Sequence, residues 1–246
     1  MIEFIDIHKS LGGNEVLAGL NLKIKEGETC VILGRSGCGK SVTLKHMVGL
    51  LKPDSGRVDV DGEDITDFSE EQLNPVRKKF GFLFQSGALL NSLNVGDNIG
   101  LPLREHNEMP EPDIKKRVAE VLGLLGLSKL EEVMPADLSG GMRKRVALAR
   151  SIVRKPKIIL YDEPTTGLDP IMSNVINRLI IEMRQKLKVT SIVVTHDMKS
   201  TFMVADHIAL LYQGKIIREG TPDYFRNYKD PFIKQFVEGE ADGPMA

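Results

Sequence analysis

Thr29-Cys-Val-Ile-Leu33 runs straight into Gly34-Arg-Ser-Gly-Cys-Gly-Lys40-Ser41, and beyond it Leu44, Met47, Val48 and Leu51 recur at helical spacing. A short apolar run ending at a glycine reads as a buried strand, so the stretch reads strand, glycine-rich loop, helix over residues 41–51. The loop fits G-x-x-x-x-G-K-[ST]. Its glycines, Gly34, Gly37 and Gly39, let the backbone turn tightly and point N–H groups inward around an anion, with Arg35, Ser36 and Cys38 filling the loop. The helix that follows adds its positive N-terminal end. Lys40 is placed to reach the β- and γ-phosphates of a nucleotide and the Ser41 hydroxyl to ligate Mg²⁺. Roughly one unrelated chain in a hundred would match the pattern by chance at ordinary residue usage. A strand before it and a helix after it make chance a poor explanation.

Downstream, Ile158-Ile-Leu-Tyr-Asp162-Glu163 is another apolar run, ending in two carboxylates. Such an ending is common on solvated strand ends. Beside a phosphate-binding loop it acquires chemistry, because α/β sheets bind ligands at the carboxyl ends of their strands. Asp162 is then expected to hold Mg²⁺ through water, and Glu163 to polarise an attacking water. Between the two lies Leu138-Ser139-Gly140-Gly141, followed by a helical pattern through Arg143, Val146, Leu148, Ala149 and Val153. Ser139 suits an N-cap and the glycines expose backbone donors, which makes a second anion-binding helix start. One nucleotide needs only one such loop, so the second asks for an explanation.

The rest of the chain alternates in the same manner. Residues 4–25 read as a hairpin turning at Gly12-Gly13-Asn14, and Val58 and Val60 lead into a second turn at Asp61-Gly62. Residues 86–156 are mostly helical in pattern, with Ile114, Val118, Val121, Leu122 and Leu125 on one face, while both flanks alternate strand and helix. That shift predicts a helical lobe inserted into an α/β core. Apolar strands follow at Ile158–Asp162 and near residues 191–195 and 208–212, with a helix near 172–188 and a hairpin-like end at 214–220. The tail 239–246, rich in Gly, Pro and acid, is expected to be poorly ordered unless a partner holds it.

Bulk composition narrows the classes. The 246 residues carry 33 basic and 34 acidic side chains, a net charge of −1, which gives no electrostatic case for a nucleic-acid partner. Aromatics at 5% with no Trp weaken base stacking as well. The two cysteines, Cys30 and Cys38, make neither a disulfide framework nor a zinc site and read as reduced thiols. No basic leader opens the sequence and no apolar run reaches the roughly 18 residues needed to span a bilayer, so a soluble, cytoplasmic chain is expected.

Leu138-Ser-Gly-Gly141, set between the glycine-rich loop and the Asp-Glu strand, resembles the signature motif of ABC ATPases. The other motifs fall in that family's order. Gln85 in Leu-Phe-Gln-Ser resembles the Q-loop glutamine, Gly167-Leu-Asp169 the D-loop, and Thr195-His196-Asp197 the switch histidine. The resemblance runs from Ile2 to about Pro222. It implies a P-loop NTPase (RecA-like) core with an antiparallel β-subdomain and an inserted α-helical subdomain. The divisions are residues 1–86 and 157–222 for the core, 87–156 for the helical subdomain and 223–246 for a C-terminal extension.

The resemblance also implies a mechanism. Two cassettes pack head to tail, and the signature helix of each caps the γ-phosphate held by the other. Lys40, Glu163 and His196 are the implied catalytic groups; Ser41, Gln85 and Asp162 are the implied Mg²⁺ ligands, with ATP as substrate. Two positions depart from the family pattern. Leu11 stands where an adenine-stacking aromatic is usual, and Met142 follows the signature where many cassettes have Gln. Neither removes a catalytic group.

Phe84-Gln-Ser-Gly-Ala-Leu-Leu90, Pro102-Leu-Arg-Glu-His106 and Ala241-Asp-Gly-Pro244 resemble ATPases of bacterial Mla/Mce-type phospholipid transporters. That resemblance implies a chain held on the inner face of the inner membrane by a permease docked near residues 85–106. Ala88, Leu89, Leu90 and Leu93 are the apolar candidates for that contact, with lobe core as their alternative. Lipid-carrier and small regulatory subunits are further implied partners. The rival classes are another ABC transporter ATPase and a soluble ABC assembly or repair ATPase. The latter usually carries tandem cassettes, long coiled coils or zinc-binding cysteines, none of which is present in the sequence.

Overall fold

A computed structural model describes residues 2–106 and 109–245. Met1, Asn107, Glu108 and Ala246, which fall in the divisions expected from the sequence, lie outside the described residues. Two compact units are distinguished, Met1–Arg77 with Ile192–Ala246, and Lys78–Ser191.

The first unit opens with β1 (Ile2–Leu11) and β2 (Asn14–Ile24), an antiparallel hairpin turning at Gly12-Gly13 as its alternating pattern requires. Ile2, Phe4 and Ile7 of β1 and Leu17, Leu20, Leu22 and Ile24 of β2 are buried. Then come β3 (Thr29–Leu33), buried at every residue, and α1 (Lys40–Met47). The helix is shorter than the periodicity of residues 41–51 suggested. It stops because Gly49 turns left-handed at φ 64° and the N–H groups of Gly49 and Leu50 fold back on the carbonyls of His46 and Lys45. β4 (Ser55–Val60) and β5 (Glu63–Asp64) form the second hairpin, with Asp61 and Gly62 both at positive φ as an Asp-Gly turn requires. The antiparallel sheet runs β2-β1-β4-β5, and α2 (Glu70–Arg77) follows it in the chain.

The second unit holds β6 (Phe80–Leu83), then α3 (Val95–Glu105), α4 (Glu111–Leu124) and α5 (Gly140–Ile152), the helical segment anticipated from the pattern. β7 (Ile158–Asp162) pairs in parallel with β6, Phe80 opposite Ile158 and Leu83 opposite Tyr161. α6 (Pro170–Leu187) and the first residues of β8 (Thr190–Thr195) complete it.

The chain returns to the first unit through the rest of β8, α7 (Met198–Val204), β9 (His207–Tyr212) and β10 (Lys215–Gly220), then α8 (Pro222–Arg226) and α9 (Pro231–Glu238). There the strand order is β10-β9-β3-β8, with β3 and β9 parallel and β10 antiparallel at the edge. Every residue of β3, β7 and β8 is buried, as strands covered on both faces must be.

The tail departs from expectation. Met245 is 3% exposed and packs with Leu33, Ile208, Leu210, Phe225 and Ile233. Its N–H donates to Gln235 Oε1 at 2.7 Å and its carbonyl accepts from Arg35 Nη1 at 2.6 Å. Gly239 caps α9 in the left-handed region, turning the chain back toward that cluster. One apolar anchor with both its backbone groups satisfied outweighs a composition that reads as disordered. No described helix is long and apolar enough to cross a membrane.

Candidate nucleotide-binding and catalytic residues

In the first unit, β3 delivers the glycine-rich loop. A Cβ on Gly34 would meet Cys38 Sγ at 2.6 Å and the Leu211 carbonyl at 2.7 Å, so only glycine fits there. Gly37 and Gly39 have φ of 81° and 107°, and Gly39 caps α1 without any side-chain bond to the helix's first N–H groups. Those donors and the helix dipole face the loop, the arrangement that favours an anion. Lys40 is buried and its ammonium donates to the carbonyls of Gly34 at 2.8 Å and Arg35 at 3.0 Å, strapping the loop across its width. Arg35, Ser36 and Gly37 are exposed, whereas Ser41 and Cys38 are half-buried. Both cysteines are free thiols, and burial pushes the Cys30 thiol far above its ordinary range. Leu11 ends β1 in an exposed position.

His196 is exposed at the end of β8. The chain beyond it is fixed by Asp197, whose carboxylate accepts from the N–H groups of Lys199 at 3.0 Å and Ser200 at 3.3 Å and so caps α7.

In the second unit, Asp162 and Glu163 are 8% and 7% exposed at the end of β7. Glu163 has φ 46°, a left-handed conformation that a non-glycine residue adopts only where its surroundings hold it. Thr166 supplies part of that hold, donating Oγ1–H to Glu163 Oε2 at 3.0 Å and its N–H to the Glu163 carbonyl at 3.3 Å. Lys144 supplies another part, donating to the same carbonyl at 3.3 Å and to the carbonyl of the exposed Gln85.

Ser139 caps α5, its Oγ accepting from Met142 N–H at 3.3 Å, and Arg143 donates to the Leu138 carbonyl at 2.6 Å. Ser139 and Gly140 are exposed; Leu138 and Gly141 are buried. Asp169 caps α6 through the N–H groups of Ile171 at 2.8 Å and Met172 at 2.9 Å. The two caps are neighbours, since a Cβ on Gly141 would meet Met172 Cε at 2.3 Å.

The loop, Leu11 and His196 therefore belong to one unit, and Gln85, Asp162, Glu163, Asp169 and the 138–141 segment to the other. Lys144, Thr166 and Arg150 were not singled out from the sequence. Lys144 had a legible signal: it lies three residues after Gly141 and four before Leu148, on the buried face of α5.

Neither Ala88 nor Leu90 is lobe core. Both are exposed, while Leu89 and Leu93 are half-buried. Ala88 and Leu90 border a groove of about 350 Å³ lined also by Phe82, Phe84, Leu101 and Pro102. Phe82 and Phe84 stack at 4.0 Å within it. The loop is clamped by buried Asn98, whose amide donates to the carbonyls of Leu90, Leu93 and Asn94 and accepts from Leu90 N–H.

Comparison with known proteins agrees with this geometry. The sequence profile of the ABC transporter family matches residues 17–166. Across its whole length the chain is 41% identical to the intermembrane phospholipid transport system ATP-binding protein MlaF of Haemophilus influenzae, covering 93% of that protein. It is 40% identical, over 99% of its length, to the probable ribonucleotide transport ATP-binding protein mkl of Mycobacterium tuberculosis, covering 68% of that protein. Among solved structures, the dimeric post-hydrolysis state of the ATP-binding cassette MJ0796 bound to ADP and Pi matches with a TM-score of 0.83 and 33% identity, over 90% of this chain and 99% of that one. The chain belongs to the ABC transporter family. It is an ATP-binding and ATP-hydrolysing cassette with the P-loop fold expected from residues 29–41.

Proposed function

We propose that this chain is the ATPase subunit of a transporter moving phospholipid between bacterial membranes, working as a head-to-tail pair of identical cassettes. The observation that carries the reading is the identity to MlaF along the full chain, together with an intact set of chemical groups at Lys40, Ser41, Gln85, Asp162, Glu163 and His196. In this reading residues 1–86 and 157–222 form the ATPase core, 87–156 the signature subdomain and 223–246 an extension.

The loop Gly34–Ser41 holds the phosphates through its backbone N–H groups and the Lys40 ammonium. Leu11 packs on the base as an apolar surface. Glu163 accepts a proton from the attacking water as the γ-phosphate is lost, and His196 steadies that phosphate by a hydrogen bond. Ser41, Gln85 and Asp162 offer hydroxyl, amide and carboxylate oxygens, the hard donors that Mg²⁺ prefers, and the ion bound there would neutralise phosphate charge. Leu138–Gly141 with Asp169 addresses the nucleotide of the partner cassette, which explains a second anion-binding helix start in one chain. The closed pair is favoured by ATP because only it engages the nucleotide from both sides.

A permease helix seats in the groove bordered by Phe82, Phe84 and Leu90, next in sequence to Gln85. It holds the chain on the cytoplasmic face of the inner membrane. Lipid-carrier and small regulatory subunits complete the assembly. A second cargo, ribonucleotide, is favoured by the similar identity to mkl.

Detergent extraction of membranes, capture of this chain, and identification of co-purifying chains and bound lipid test the reading. Recovery of an integral-membrane partner with phospholipid is expected, and Leu90→Glu should abolish that recovery while the chain stays folded. A soluble chain with no membrane partner would point to the assembly or repair class.

A further inference from the structure

Lys144 is 7% exposed within α5, where an aliphatic side chain would match its neighbours Val146, Ala147 and Leu148. Burial lowers its pKa, and the charges of Asp162 and Glu163 pull it back up. A buried ammonium needs acceptors. The two it takes are main-chain carbonyls of Gln85 and Glu163, which lie 59 and 19 residues away in sequence. Both belong to residues assigned above to the hydrolytic chemistry.

The Glu163 backbone is left-handed, and its carbonyl is gripped by Lys144 together with Thr166 N–H. The segment after Gln85 is held in the same manner from the same helix. Gly87 and Ala88 have φ of 78° and 46°, and Arg150 donates to their carbonyls at 2.8 and 2.7 Å. Helix α5 therefore carries one cation shared by the catalytic carboxylate's backbone and the Gln85 backbone, and a second that extends the grip beyond Gln85. The helix is capped by Ser139, the residue proposed above to address the partner's nucleotide.

We propose that Lys144 is a positioning residue for hydrolysis, tying the main chains of Gln85 and Glu163 to the signature helix so that the carboxylate is placed only when α5 is seated. The proposal rests on Glu163 being the general base. Lys144 touches no substrate; it acts through the two residues whose carbonyls it binds, and so couples the trans-acting end of α5 to hydrolysis in its own chain.

Lys144→Met keeps the side-chain length and removes the donor. Expected is a KM for ATP within about twofold of wild type with kcat reduced about 10- to 100-fold, the pattern of an interaction that matters in the transition state. Lys144→Arg, which restores donors, should recover part of that loss. In a Glu163→Gln background, followed by single-turnover hydrolysis, Lys144→Met should cause little further loss, because both changes act on one group. A folded Lys144→Met enzyme with full kcat would overturn the proposal, as would losses that multiply in the double variant. Unfolding of both Lys144 variants, judged by thermal melting, would also overturn it and make the residue structural. An undiminished Glu163→Gln enzyme would instead strike the base assignment beneath it.

Discussion

Arg35, at the start of the phosphate-binding loop, donates its Nη1–H to the backbone carbonyl of Met245, 210 residues along the chain, at 2.6 Å. The loop's most exposed cation is thus tethered to a tail whose composition reads as disordered. Met245 itself fills the cluster of Leu33, Ile208 and Phe225 beneath β3 and β9. Met245→Ala should cost about 2–5 kcal/mol, as other buried Met-to-Ala changes do. A fall of several degrees in Tm, measured by calorimetry, is expected. An unchanged Tm would mean that the tail is not held in solution.

Replacing Glu163 by Gln keeps shape and hydrogen-bonding capacity while removing the carboxylate proposed to accept the water's proton. Turnover should drop by about 10²–10⁴-fold with nucleotide binding retained. Lys40→Ala should act differently, weakening binding itself, because its ammonium is the point charge proposed to meet the phosphates. Steady-state kinetics beside equilibrium binding of a fluorescent nucleotide separates the two effects.

Ser139 caps α5 while exposing its N-terminal face. Ser139→Asp preserves the cap, since Asp is an equally good N-cap, yet sets a negative charge where the partner's γ-phosphate is expected. When wild-type and variant chains are mixed in equal amounts and allowed to exchange, activity should fall below half. Activity strictly proportional to the wild-type fraction would show that hydrolysis at one site of the pair does not depend on the other.

His46 is buried on α1, its Nδ1–H donating to the Val42 carbonyl at 2.7 Å, with Nε2 lacking a hydrogen-bond partner. Burial lowers its pKa below 6.5; Lys9 adds to the effect, and the Val42 bond and Asp54 oppose it. Below pH 6.5 the unfolded chain takes up a proton that the folded chain refuses, so stability falls as pH drops from there to the lower folded value. His8 works in the opposite sense, its pKa raised chiefly by Glu15. Comparing Tm at pH 7.5 and 5.5 for wild type and His46→Leu keeps His8 in both, and the variant should show the smaller acid-side loss. Equal losses would remove His46 from the acid response.

The sequence by itself determined the elements whose signals are local. Residues 29–47 spell strand, glycine-rich loop and helix in one continuous stretch, and β7 with its closing Asp162 and the Glu163 that follows is read from six consecutive residues. Turn chemistry at Gly12-Gly13 and Asp61-Gly62 places both hairpins, because only certain residues tolerate positive φ. What the tertiary structure decided is which distant backbone groups each buried polar side chain satisfies. Lys144 reads as one more cation in Arg143-Lys144-Arg145 until Gln85 and Glu163 are brought beside it. The tail reads as solvated until Arg35 and Gln235 meet Met245. Periodicity and composition report a residue's preference for water or core. A buried donor's partner is set by chain packing across tens or hundreds of residues, so no local window contains it.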